Sequence, residues 1–145
     1  MKFLLRFSLL AVLAVAGLYA LDLAAVRAER DPNKRSQLAL TYAEEQLKTA
    51  REGLDKGQLE DFHTGLDQVV AGVRLSDDSV RASGKVPSKS PKHFKRAEMK
   101  IRDLLRRLRS LEEQVSIDDR EPINKARAQV REIHDNLVLD IVGRR

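Results

Sequence analysis

The sequence predicts an all-α fold: an antiparallel up-down-up-down four-helix bundle of heptad-patterned helices, preceded by an N-terminal signal helix. Three observations carry this expectation. Four segments repeat apolar residues at alternating three- and four-residue steps, the period that gathers them on one stripe of a helix. The connections between the segments are short, which turns each helix back along the one before. No stretch shows the strict polar–apolar alternation of a half-buried strand.

Residues 1–28 read as a signal peptide. Lys2 and Arg6 give a positive start, Phe7 to Leu21 is fifteen residues without charge, and small residues follow at Ala20, Ala24, Ala25 and Ala28. Val26-Arg27-Ala28 approximates the small-x-small rule, so the expected cut follows Ala28, with Ala20 as the other candidate. The alternative is an uncleaved inner-membrane anchor formed by residues 7–21, although fifteen apolar residues fall short of the roughly 20 that span a bilayer. With no cysteine in the chain there is neither an acylated lipoprotein anchor nor a disulfide, so packing must supply the stability of an exported chain. Export implies a periplasmic or extracellular location.

Residues 29–145 then form the bundle, with helices expected at about 32–56, 58–83, 90–115 and 119–142. Asp31-Pro32 opens the first, a cap followed by proline in the first turn. Its stripe is Leu40, Ala43, Leu47, Ala50 and Leu54, and Gly53 to Gly57 closes it. The second stripe is Leu59, Phe62, Leu66, Val69, Val73, Ser76 and Val80. The turn between the two, from Leu47 through Arg51, Leu54, Gly57 and Leu59 to Phe62, resembles the helical hairpin of a tetratricopeptide repeat. That resemblance covers one repeat with no second copy, so a generic helical hairpin is the expectation. Gly65 and Gly72, one heptad apart, suggest close packing against the alanine-bearing face of the first helix; a groove for an extended or lipid-like ligand is the other possibility.

Gly84 to Lys89 is a loop, and Ser90-Pro91 is the expected cap of the third helix. Its stripe is the most regular of the four: Phe94, Ala97, Ile101, Leu104, Leu108, Leu111 and Val115. Asp118 with Glu121 fits a variant capping pattern for the fourth helix, whose stripe runs Ile123, Ala126, Val130, Ile133, Leu137 and Ile141. The seams could close within one chain, or two hairpins could pair between chains as a homodimer.

Charge is distributed unevenly. Residues 85–109 hold ten Lys or Arg against Glu98 and Asp103, a local +8, whereas residues 29–84 sum to −3 and 110–145 to −2. On the third helix Lys95, Arg102 and Arg109 fall seven apart, with Lys92 and Arg106 beside them, all opposite the apolar stripe. These five form the candidate binding face, for an anionic lipid or polysaccharide or an acidic protein. The alternative is a solvated face partly neutralised by Glu60, Asp61, Asp67, Asp77 or Asp78 of the second helix. Nucleic acid is the weaker ligand: Tyr42, Phe62 and Phe94 are the aromatics after residue 28, and stacking needs exposed rings among the cations. Ser90-Pro91-Lys92-His93 loosely resembles the Ser-Pro-basic-basic units of minor-groove binders, in a single copy.

Neither metal nor catalysis is expected. Glu60-Asp61-Phe62-His63 has the Glu-x-x-His spacing of ferritin-like iron sites, but Glu132-Ile133-His134 does not supply the matching half. His63 and His134 read as surface histidines. No nucleophile elbow, phosphate loop or Cys–His pair occurs, and no cofactor is implied. The function expected is that of an exported, non-enzymatic interaction module. The alternative is a structural scaffold that self-associates through its seams while the cations only solubilise it.

Overall fold

The structure is a computed structural model that describes residues 21–143. The apolar run at 7–21 therefore lies almost wholly outside the described residues. Within them the chain forms five α-helices and one short 3-10 turn: α1 (Leu23–Ala28), α2 (Pro32–Asp55), α3 (Leu59–Arg81), α4 (Lys92–Gln114), the turn Ile117–Asp119, and α5 (Arg120–Val142). Among the described residues there is no strand, and no helix is long and apolar enough to cross a membrane. The result is an all-α bundle of packed helices.

The apolar stripes converge as their period requires. Phe62, Leu66, Val69 and Val73 of α3, Phe94, Ile101, Leu104 and Leu108 of α4, and Ile123, Val130 and Leu137 of α5 are all buried in one core. Leu59 departs from its stripe and is exposed, because it is the first residue of α3 and projects past the end of the core. Contacts run antiparallel within each hairpin. Ser36 meets Ser76 and Ala50 meets Gly65 between α2 and α3, while Glu98 meets His134 and Glu112 meets Arg127 between α4 and α5. The hairpins then join with α2 against α4 and α3 against α5.

The closest approach is between α2 and α3. A Cβ built on Gly65 would stand 2.8 Å from the Ala50 Cβ, and one on Gly72 would stand 2.9 Å from the Ala39 carbonyl oxygen. Glycine is needed at both points because the facing helix occupies the space of a side chain. The turn after α2 is a Schellman motif: Gln58 N–H donates to the Gly53 carbonyl and Gly57 N–H to that of Leu54. Gly57 supplies the left-handed conformation, φ +70°, that this turn demands.

Helix starts follow the sequence in one case and depart from it in two. Asp31 caps α2 through its carboxylate, which accepts from the Asn33 and Lys34 amides at 2.8 and 3.1 Å. Ser90 does not cap α4. The cap residue there is Pro91, with no side-chain bond, and Ser90 belongs to the preceding turn, its N–H donating to the Val86 carbonyl. Asp118 does not cap α5 either. It lies inside the 3-10 turn, and Asp119 takes the cap position while its carboxylate accepts from Ser116 Oγ.

Helix α1 adds a second, smaller apolar cluster. Val26 is fully buried with Ala39 and Tyr42, and Leu21, Leu23, Leu38 and Leu75 pack around them. Arg35 ties this region down, donating to the Glu29 carbonyl at 2.8 Å and to Ser79 Oγ at 2.9 Å. A cut after Ala28 would remove α1, and a cut after Ala20 would retain it.

Candidate functional site

Helix α4 is amphipathic in the strict sense. Phe94, Ala97, Ile101, Leu104, Leu108 and Leu111 are buried, and Lys92, Lys95, Arg102, Arg106 and Arg109 are all exposed. The seam fixes this orientation: once six apolar residues face the core, the cations seven and four residues apart are held in rows on the outside.

The acidic partners of this face come from α4 itself. Arg102 lies 3.6 Å from Glu98, Arg109 lies 3.4 Å from Glu113, and Asp103 pairs with both Arg106 and Arg107. The side chains nonetheless remain 63, 73 and 79% exposed at Arg102, Arg109 and Arg106. Exposed pairs at this spacing are worth only about 0.3–0.5 kcal/mol each, so the cations remain available to another anion. Lys92 and Lys95 have no ion-pair partner among the described residues. The carboxylates of α3 do not neutralise this face. Asp77 holds Arg81 of its own helix, and the neighbouring-helix carboxylate that reaches a cation of α4 is instead Glu44 of α2, 3.3 Å from Lys100.

Beside the cations runs an apolar groove between α4 and α5, walled by Met99, Val138, Ile141 and Val142 and flanked by Lys95 and Arg102. Met99 and Val142 are exposed, as is Leu139 nearby. No aromatic ring of the described residues stands on this face, because Tyr42, Phe62 and Phe94 are all buried.

The histidines divide. His63 is exposed and tilts against its neighbour Phe62. His134 is not a surface histidine. It is half-buried between α4 and α5, with Nε2 2.9 Å from Glu98 Oε1 and Nδ1 3.2 Å from Asp135 Oδ1. Sequence spacing concealed this because Glu98 lies 36 residues away on another helix. Among the described residues no three His, Cys, Asp or Glu side chains converge in a way that could hold a metal.

Two further polar contacts also escaped the sequence, one between α2 and α3 and one between α3 and α5. Ser76 occupies a stripe position yet shares a 2.8 Å hydrogen bond with Ser36, both buried. Farther along, the Arg81 guanidinium bridges Asp77, at 3.0 Å to each oxygen, and Asp140 of α5 at 2.7 Å. Comparison with family models, with curated proteins and with solved structures gave no match.

Proposed function

We propose that the protein is an exported, non-enzymatic interaction module that presents the α4 face, Lys92, Lys95, Arg102, Arg106 and Arg109, to an anionic envelope component or an acidic protein partner. The observation that carries this reading is exposure despite pairing: the seam turns these cations outward, and the ion pairs of Arg102, Arg106 and Arg109 leave most of each side chain in water. The local +8 of residues 85–109 exceeds what solubility requires. Export, to the periplasm or beyond it, rests on the signal-like residues 1–28, with anchoring by residues 7–21 as the alternative.

The finer architecture in this reading is an up-down-up-down four-helix bundle with heptad seams. Its support is the antiparallel pairing within each hairpin and the burial of Leu104 and Leu108 inside a single chain. A bundle whose seams are already filled offers a second copy only its exposed remainder, which favours the binding role over seam-driven self-association.

Binding to phosphatidylglycerol vesicles and to polyglutamate, measured at low and moderate salt, tests the proposal. Lys95→Glu/Arg102→Glu/Arg109→Glu should abolish binding that salt already weakens, because exposed charges are screened within about 8–10 Å at these ionic strengths. Binding that ignores both salt and the charge reversals would overturn it. A concentration-dependent dimer untouched by the reversals would support the scaffold instead.

A further inference from the structure

The N-terminal halves of α2 and α4 enclose a cleft of about 260 Å3. On the α2 side it is lined by Asn33, Gln37 and Thr41, each one helical turn from the next, and on the α4 side by His93, Arg96 and Lys100. Leu40 and Ala97 form the apolar part of the lining, and these polar side chains stand around it.

Two of these residues carry a buried polar atom without a hydrogen-bond partner: Oδ1 of Asn33 and Nδ1 of His93. More than nine in ten buried polar groups find a partner, so an orphan calls for an explanation. These are the two orphaned side-chain atoms of the described residues, and both belong to this one cleft. Charge supplies a third observation. The ion pairs of α4 engage Lys100, Arg102, Arg106, Arg107 and Arg109 but leave out Arg96, which unlike the equally unpaired Lys92 and Lys95 lines the cleft. Helix α4 also starts without a side-chain cap, so its first amides, next to His93, receive no side-chain hydrogen bond.

We propose that this cleft binds a small hydroxylated anion. Arg96, whose planar guanidinium can hold two oxygens of a phosphate or carboxylate, takes the charge, and Lys100, paired with Glu44, stands beside it. Asn33 Oδ1 can only accept, so the ligand must bring a donor, and a hydroxyl group is the simplest that an anion carries. His93 Nδ1 accepts from or donates to a second oxygen according to its tautomer. A neutral polyol would gain nothing from the Arg96 charge, and an anion without hydroxyls would leave Asn33 Oδ1 without a donor. The volume lies below the usual 300–1,000 Å3 or so of ligand pockets, which limits the ligand to a short polyol phosphate or hydroxy acid. The site is independent of the basic face, since neither Arg96 nor His93 belongs to that row.

Amide chemical shifts of the purified protein, followed on addition of glycerol 3-phosphate, glycerate, propyl phosphate or glycerol, test this proposal. The expected result is saturable movement of Asn33, Gln37, His93 and Arg96 with glycerol 3-phosphate or glycerate, and the tighter of the two names the acid group. Propyl phosphate should bind at least fivefold more weakly, glycerol should not saturate, and Arg96→Gln should weaken the preferred anion at least tenfold. Arg96 is exposed, so this variant keeps its fold, and unchanged shifts far from the cleft verify that. No saturable shift in the cleft with either hydroxylated anion would overturn the proposal, as would equal binding of propyl phosphate or indifference to Arg96→Gln. Lys95→Glu/Arg102→Glu/Arg109→Glu leaves every cleft residue in place, so failure of the vesicle experiment and failure of this one are separately visible.

Discussion

Along the α2–α3 hairpin the facing side chains are small, whereas along α4 and α5 they are large. Ala39, Ala43 and Ala50 lie against Gly65 and Gly72, close enough that an added Cβ would fall within 3.0 Å of the opposite helix. On the other hairpin Ile101, Leu104, Leu108 and Leu111 share the core with Ile123, Val130 and Leu137. The first pair is held by backbone proximity and buried hydroxyl contacts such as Ser36–Ser76. The second keeps its helices apart with branched side chains and latches its edges with Glu98–His134 and Glu112–Arg127. One hairpin therefore has no room to gain volume, and the other has none to lose. The difference also places the basic surface, because the bulky seam of α4 fixes which way its cations point.

The largest expected effect comes from emptying the bulky seam. Leu104 is fully buried, and truncating such a leucine removes both its transfer energy and the contacts around the space it leaves. Leu104→Ala should cost about 2–5 kcal/mol in urea or guanidinium unfolding. A loss below about 1 kcal/mol would mean that the seam is not closed as described, and the outward direction of the cations would fall with it.

Filling the tight hairpin should come next. In an exposed helix interior Gly→Ala gains about 1 kcal/mol from propensity. At Gly72 the new methyl would meet the Ala39 carbonyl oxygen at 2.9 Å and the Ala43 Cβ at 3.0 Å, and backbone on the facing helix cannot rotate away. Overpacking of this kind costs about 1–3 kcal/mol, so Gly72→Ala should be destabilising or at best neutral despite its better helix former. Clear stabilisation in the same unfolding measurement would erase the contrast between the hairpins.

Much of this was legible in the sequence, for identifiable reasons. The three-and-four spacing of Phe94 to Val115 names the buried face of α4, and therefore the exposed one, without reference to any partner. Gly65 and Gly72 announce a close neighbour because a heptad of glycines has little other use in a helix. What stayed hidden depends on pairing across helices. The period puts Ser76 in the seam but cannot supply Ser36, and nothing near His134 in the chain indicates Glu98. The same holds for the α2–α4 cleft. Asn33, Gln37 and Thr41 look like solvent positions until His93 and Arg96 are set opposite them. Ser90 and Asp118 each fall inside a turn that precedes the helix, the one closed on Val86 and the 3-10 turn at Ile117–Asp119, and the one-residue shift that this makes in the helix start is not written in the local sequence.

The smallest effect is electrostatic, and it separates the exposed cap of α2 from the buried contact of α3 with α5 at the same end of the bundle. Asp31, the cap of α2, has its carboxyl held below the ordinary value of 3.8 by the backbone amides of Lys34 and Asn33. A depressed carboxylate contributes stability that is present above its unfolded value and lost as pH falls through its folded one. Asp77 is shifted upward, because burial between α3 and α5 disfavours its charge more than the Arg81 guanidinium restores it. Its sign is opposite: the contribution is present below 3.8 and lost as pH rises through the higher folded value. Acidification from neutrality should therefore first relieve Asp77 and only later weaken the α2 cap. Melting temperatures followed across this range should be flat or rising before they fall. Asp77→Asn should remove the upper limb alone. Asp31→Asn, which keeps a capping side chain, should blunt the final fall. An Asp77→Asn protein whose melting temperature tracks the parent at every pH above 4 or so would show that the hairpin junction does not bury this charge, and that the cap of α2 and the α3–α5 contact do not differ as argued.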